Sequence, residues 1–314
     1  MKRAGLPGWC QPWMFSFVAA ALMGLISAAW SGRGGAEILS VALAFSVFSV
    51  LVGTGQMLVI ASGPGHIDLS VPAVITLSAY LSMGMMQSND ALVAAGFALA
   101  LAVGLLAGVL NFLSILALRL PPLIATLAWS FMFQSLAMHV GGEATVKPPA
   151  LLAALTVQRV AGVQVLVVIT VLLSVLVAVL LNRSISGRHL LATGQSAEAA
   201  RLTGIPIHRV RLAAYAACGA FSGVTGFLLA GFTGGAALNM GDAYLMEAIA
   251  VVVIGGTSVA GGQANAIGIW GAALFLNLLA SMLNTVRVEA PVRLILTGLI
   301  IILVLAVATR PARA

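Results

Sequence analysis

Ionisable residues are scarce in this 314-residue chain, so each one is a candidate for chemistry. Asp68 and Glu247 stand beside or inside long apolar runs. Ion- or proton-driven transport uses carboxylates in such places, and each costs roughly 2.5–3.5 kcal/mol or more at mid-bilayer unless hydrated or paired. Asp68 has a second reading: its side chain caps a helix start, accepting backbone N–H groups near Ser70 and Val71. Glu247 reads equally as a hydrated residue near the outer end of its run or as a partner of a helix N-terminal dipole. His66, His139, His189 and His208 stand alone, without the His-Glu-x-x-His spacing of a zinc protease. Lys2 and Lys147 are the only lysines and neither follows a glycine-rich turn, so no phosphate-cradling ATPase loop is expected. Ser222 in "GAFSGVTG" has no histidine placed by sequence to activate it, and small-residue runs usually mark close helix packing. Cys10 and Cys218 are far apart and follow no metal-ligand pattern. The expectation is a chain with no catalytic residue, no metal and no cofactor of its own.

One polar stretch stands out, "ATGQSAEAARLTGIPIHRVRL" at 192–212, in a chain of which only 7% is charged. Ser196 is a suitable N-cap and Glu198 favours the positive end of a helix in its first turn. Ala197, Ala199, Ala200, Arg201 and Leu202 are good helix formers. Gly204 terminates the segment and Pro206 blocks its continuation. The residues thus predict a helix of about two turns, which is marginal alone in water and must be held by the rest of the protein or by a partner. Its Ala-Ala face is small enough for a groove, with Leu202 and Ile205 as apolar anchors. A solvated connector between two spans is the competing reading.

The elements around these residues follow from composition. Hydrophobic residues make up 61% of the chain, whereas a soluble domain is about a quarter charged, so the solvent is mostly lipid. Runs such as 97–118 and 292–308 do not alternate as barrel strands would, and a helix crosses the bilayer with about 20 apolar residues. The expected fold class is all-α: a polytopic membrane protein with about ten transmembrane helices and broken or re-entrant segments. The candidate spans are 13–30, 38–60, 69–87, 91–118, 123–140, 163–182, 209–231, 244–258, 264–286 and 292–309. The run at 13–30 resembles a signal peptide but lacks a convincing cleavage site, so a retained first helix is expected. Gly63, Pro64 and Gly65 precede the third span, and "GGTSVAGG" at 255–262 ends the eighth. Such breaks are tolerated at membrane depth where they are buried in protein or line a wet cavity, and transporters place substrate paths there; ordinary short turns are the alternative.

Basic residues set the orientation. With both termini cytoplasmic, the inner side holds Lys2, Arg3, Arg119, Arg183, Arg188, Arg201, Arg209, Arg211, Arg310 and Arg313, and the outer side only Arg33, Lys147, Arg159, Arg287 and Arg293. The polar stretch is then cytoplasmic, and 141–162 is the longest outer loop. The net charge of +7 needs no nucleic acid to explain it. No soluble domain of useful size is expected, so residues 1–314 read as a single transmembrane domain.

The stretch "ATGQSAEAARLTGIPIHRVRLAAYAACGAFSGVTGFLLA" resembles the cytoplasmic EAA-type loop of ABC importer permeases. More narrowly it resembles ribose-type sugar permeases of the branched-chain amino acid/sugar permease superfamily. "GHIDLSVPAVITLSAYL" (65–81), "RLPPLIATLAWSFMFQSLA" (119–137) and "YLMEAIAVVVIGGTSVAGGQANAIGIWGA" (244–272) are similar to other stretches of that family, in the same order. The resemblance implies a machine with two permease subunits, a periplasmic binding protein that delivers a sugar, and two cytoplasmic ATPase subunits that bind ATP and Mg. It implies ATPase docking by Ser196, Glu198, Ala199, Ala200, Arg201, Leu202, Gly204 and Ile205, within a loop of about 183–209, in an inner-membrane protein. It implies structural breaks near the pathway at Gly65, Asp68 with Leu69 and Ser70, and at Gly255, Gly256 and Thr257. His66 and Pro72 stand where the family usually has Gly, Ala128 replaces a Gly, and Gln134 replaces an Arg. These departures fit a divergent subgroup or one member of an unlike permease pair.

Polar residues within spans, Gln56, Asn111, Thr126, Gln134, Asn277 and Asn284, are candidates for the substrate path or for helix–helix glue. Phe131 and Trp129 are candidate stacking surfaces. The cargo is expected to be a monosaccharide or related small polar solute, with nucleosides, polyols or a signalling sugar as alternatives. An autonomous secondary transporter or channel is the rival of a different class.

Overall fold

Apolar runs in lipid fold as helices because each backbone N–H and C=O must find its partner within the segment. The computed structural model describes residues 14–31, 35–141 and 146–285, with isolated positions beyond 285. The helices in chain order are α1 (Met14–Ser31), α2 (Gly35–Ala61), α3 (Val71–Met86), α4 (Val93–Leu118), α5 (Pro122–Gly141), α6 (Ala150–Val157), α7 (Val165–Arg183), α8 (Ile185–Gln195), α9 (Ala197–Leu202), α10 (Ile207–Thr233), α11 (Asp242–Ile254) and α12 (Ala266–Thr285). A single 3-10 turn, Asp90–Leu92, leads into α4. Among the described residues six helices are long and apolar enough to cross a membrane: α2, α4 with its leading turn, α5, α7, α10 and α12. Helices α1 and α3 are shorter apolar helices, and α11 has 13 residues. Each of the first nine predicted spans overlaps a helix. The tenth, 292–309, lies largely outside the described residues, as do Cys10 and the basic residues of both termini.

Helix α10 is the hub, packed against α4, α3 and α2, while α12 packs on α1 and α2. The α4–α10 crossing is built from glycine. Gly104 and Gly108 of α4 face Gly219, Gly223 and Tyr215 of α10 so closely that a Cβ on Gly104 would overlap the Gly219 carbonyl, and one on Gly108 the Tyr215 carbonyl. Small residues four apart let membrane helices approach backbone to backbone, where dispersion rather than hydrophobicity holds them. Around this crossing Phe48 and Val52 of α2, Phe112 of α4 and Tyr215 of α10 form one buried cluster. A second cluster joins α2, α11 and α12 through Val50, Val251 and Ile269.

Two connections differ from the sequence expectation. The segment 141–162, expected as the longest outer loop, contains α6 and the start of an antiparallel two-stranded hairpin, β1 (Arg159–Val160) and β2 (Val163–Gln164). Its two turn residues, Ala161 and Gly162, both have positive φ, the geometry that matches strand twist in a tight hairpin. The segment after Arg183, part of the expected loop of about 183–209, is the eleven-residue helix α8. Ser184 caps it, its Oγ accepting from Gly187 N at 3.0 Å.

Candidate functional site

The polar stretch folds as its residues require. Ser196 is the N-cap of α9, its Oγ accepting the Ala199 N–H at 3.2 Å. Gly204 adopts φ +83, a left-handed conformation that favours glycine, and the Ile205 N–H returns to the Ala200 carbonyl at 3.1 Å. Of the short helix only Ala200 is buried. Ser196, Glu198, Ala199, Arg201 and Gly204 are exposed, Ile205 is half-buried, and Leu202 is 82% exposed. An apolar side chain so far out on a polar helix leaves the element a knob without a hole.

What holds α9 is the helix before it. Gly194, near the end of α8, is buried, and a Cβ there would overlap both the Ala61 carbonyl and the Gly262 amide. The Gly262 N–H donates to that same Ala61 carbonyl at 2.9 Å, and Gln195 Nε2 donates to the Gly262 carbonyl at 3.3 Å. A Cβ on Gly261, which has φ +86, would stand 2.8 Å from Gly63 Cα and 2.9 Å from the Gly194 carbonyl. Three backbone segments therefore meet in close contact, with the Gln195 side chain beside them: the end of α2, the end of α8 and the glycine run after α11. The sequence separates Ala61 from Gly194 by more than a hundred residues and Gly194 from Gly261 by 67. Gly194, Gly261 and Gly262 were legible only as local helix-breakers.

The first break, 62–70, begins at this junction. Gly65 has φ +74 with open space where a Cβ would be, so backbone conformation alone favours glycine there. Asp68 is 1% exposed. Its Oδ1 accepts from Ser70 N at 2.9 Å and Ser70 Oγ at 2.7 Å, and Asn111 Nδ2 of α4 lies 3.2 Å from Oδ2. Asn111 Nδ2 also reaches Ser70 Oγ at 2.7 Å. The expected role for Asp68 at the Ser70 amide is present, and Ser70 itself is the N-cap residue of α3. Thr126 of α5 closes the same break, its Oγ1 accepting from Leu69 N at 3.1 Å. His66 is buried with Nδ1 3.1 Å from the Tyr215 hydroxyl. Arg211 approaches from α10, its Nε 3.5 Å from the Ser62 carbonyl.

The second break, 255–265, is tied by Asn265, a residue sequence reasoning passed over. Its Nδ2 donates to the Gly255 carbonyl at 3.1 Å, its Oδ1 accepts from Gly268 N at 3.1 Å, and its own amide donates to Thr257 Oγ1 at 3.3 Å. Gly256 has φ +90. Gly255 has φ −67, so its need is space: a Cβ there would crowd the backbone of Gly268.

Residues 37–305 match the family described as "Branched-chain amino acid transport system / permease component". The chain belongs to this permease family. The permease is 30% identical over 286 residues to the autoinducer 2 import system permease protein LsrC of Enterobacter sp. (strain 638), covering 91% of this chain and 82% of that protein. It is 30% identical over 256 residues to a probable ABC transporter permease protein, y4mJ, of Sinorhizobium fredii, covering 81% and 76%. It is 30% identical over 247 residues to the autoinducer 2 import system permease protein LsrD of Yersinia pestis (strain Pestoides F), covering 76% and 74%. No solved structure matches it. The permease is a multi-pass inner-membrane protein.

Of the candidate path residues of the permease, Asn111 and Thr126 meet at the first break, while Phe131 and Gln134 lie farther along α5. Asn111 and Thr126 have no exposed surface and spend their hydrogen bonds on the first break. Gln134 donates to the Leu238 carbonyl at 2.9 Å in the connection between α10 and α11. Phe131 is 66% exposed on α5, and Trp129 stacks on Phe133 with ring centroids 5.2 Å apart. Glu247 corrects both sequence readings. It is the sixth residue of α11, beyond the first turn, whose acidic residue is Asp242. Its Oε1 accepts from Ser49 Oγ of α2 at 2.6 Å and Asn277 Nδ2 of α12 at 3.1 Å, so it clamps three helices. Gln56 and Asn277 thus belong to interhelical contacts, Gln56 Oε1 lying 3.6 Å from Cys218 Sγ.

Proposed function

We propose that the permease forms the membrane path of an ABC importer for a monosaccharide or related small polar solute, driven by separate ATPase subunits that bind ATP and Mg. The observation that carries this reading is α9: a capped helix with Glu198, Arg201 and Leu202 outward, seated through Gly194 on both helix breaks. Family membership supplies the partner class. In this reading the whole chain is one permease domain with about ten spans and both termini cytoplasmic. Residues of about 183–209 dock an ATPase, and Ser196, Glu198, Ala199, Ala200, Arg201, Leu202, Gly204 and Ile205 make the contact. A second permease subunit completes the path, and a periplasmic binding protein delivers the solute.

The relatives favour one cargo among the alternatives. LsrC and LsrD are permease proteins of autoinducer 2 import systems, which favours a small signalling molecule of sugar type over nucleosides and polyols. Two differently named permeases of that import system also support an unlike permease pair over a homodimer. The test is co-purification followed by transport. An ATPase chain that stays with the wild-type permease and is lost from a Glu198→Ala, Gly204→Val double variant is expected. Uptake by the permease alone in vesicles without ATP overturns the importer reading. The solute held by the cognate binding protein identifies the cargo.

A further inference from the structure

The polar stretch 192–212 has a second half that α9 does not use. After Pro206, α10 opens with His208, Arg209 and Arg211. Arg211 is half-buried and turns toward the first break. Arg209 stays exposed and lines a cavity of about 670 Å³ between α7, α8 and α10, with Leu58 of α2 among its walls. That volume falls within the roughly 300–1,000 Å³ of small-ligand sites.

The cavity has two chemically distinct ends. Toward the bundle its walls are aliphatic, with Leu173, Val177 and Leu180 from α7 and Ala213 and Ala217 from α10. At the α8 end the lining turns polar, with Ser184, Ser186, His189 and Arg209. The lining includes no carboxylate. Helices α7 and α10 each pack on α2 yet leave this slot between themselves. The outer face of α7 beside it is apolar and exposed, with Leu172 64% and Val175 53% exposed, as a lipid-facing surface is.

We infer that this slot binds a phospholipid with an anionic headgroup, taken from the leaflet on the side of the docking loop. The acyl chain lies along the α7 and α10 aliphatic walls, and the headgroup phosphate meets Arg209, His189 and the Ser186 hydroxyl. A guanidinium fits phosphate oxygens with paired hydrogen bonds. Basic pockets between membrane helices on the cytoplasmic side favour anionic over zwitterionic headgroups. The charge complementarity selects lipid: a protein ridge entering an aliphatic slot this polar at one end would need its own acidic group at the same depth. The inference is independent of which solute the permease moves.

The test uses full-length permease in nanodiscs of mixed phosphatidylglycerol and phosphatidylcholine, released into neutral detergent, with retained lipid counted by native mass spectrometry. Wild type is expected to retain phosphatidylglycerol over phosphatidylcholine by about fivefold or more per cationic contact. Arg209→Gln removes that preference and leaves phosphatidylcholine retention unchanged, while Arg209→Lys keeps part of it. Ala217→Phe, which fills the slot, lowers retention of both lipids. Equal retention of the two lipids by wild type, or a preference that survives Arg209→Gln, overturns the proposal. So does a cross-link from Ala213→Cys to a second permease subunit, which makes the slot a protein interface.

Discussion

Asp68 is held by neutral donors, two from Ser70 and one from Asn111. Removing the carboxylate leaves the Ser70 amide and hydroxyl without this acceptor, while Asn111 Nδ2 keeps Ser70 Oγ, at about 1–3 kcal/mol for each donor orphaned. Asp68→Asn keeps one acceptor oxygen and costs less. Thermal unfolding in detergent is expected to rank wild type above Asp68→Asn and Asp68→Asn above Asp68→Ala. Equal midpoints for wild type and Asp68→Ala would refute this account of the break. Glu247 behaves in the same way: Glu247→Gln retains an oxygen for Ser49 and Asn277, while Glu247→Ala frees the α2–α11–α12 clamp and lowers the midpoint further. The sequence marks both carboxylates as unusual because charge is rare in lipid. Their partners were not legible: Asn111 is 43 residues from Asp68, and Ser49 is 198 from Glu247. Local capping rules reach two or three positions, which is why the Ser70 amide was foreseen and Asn111 was not.

Helix α9 was legible almost to the residue, because its cap and its stop are local chemistry: Ser196 at one end, Gly204 and Pro206 at the other. Ser196→Ala removes the Ala199 hydrogen bond and is expected to cost α9 about 1 kcal/mol. Leu202→Glu changes a side chain that touches little of its own protein. It is therefore expected to leave helicity and thermal midpoint unchanged while abolishing ATPase retention in a pull-down; retention at wild-type level would remove Leu202 from the docking surface. The α4–α10 crossing calls for the opposite result. Gly104→Leu or Gly219→Val forces a side chain into a facing backbone, so loss of monodisperse protein on size exclusion is expected from either. Long spans such as α5 gave less away. A helix that is apolar all round offers no contrast between its lipid face and its packed face, so Phe131, 66% exposed, looked in sequence as plausible a lining residue as buried Thr126.

At the scale of the molecule, the two breaks and the docking loop appear in sequence as three separate interruptions of apolar helices. Their meeting could not be read there, because glycines report where a chain bends and not what lies against the bend. In the fold they share one junction of Ala61, Gly63, Gly194, Gly261 and Gly262. Gln195→Ala removes the bond to the Gly262 carbonyl without forcing a side chain into backbone, and is expected to separate two activities: the ATPase still binds α9 and hydrolyses ATP, but solute uptake in reconstituted vesicles falls. Unchanged uptake would show that the junction carries no motion. In the importer proposed above, backbone packed this closely on backbone leaves little slack, so the junction would serve as a fulcrum: a push on α9 would reach both broken segments together, and opening one side of the path and closing the other would be a single stroke of one lever.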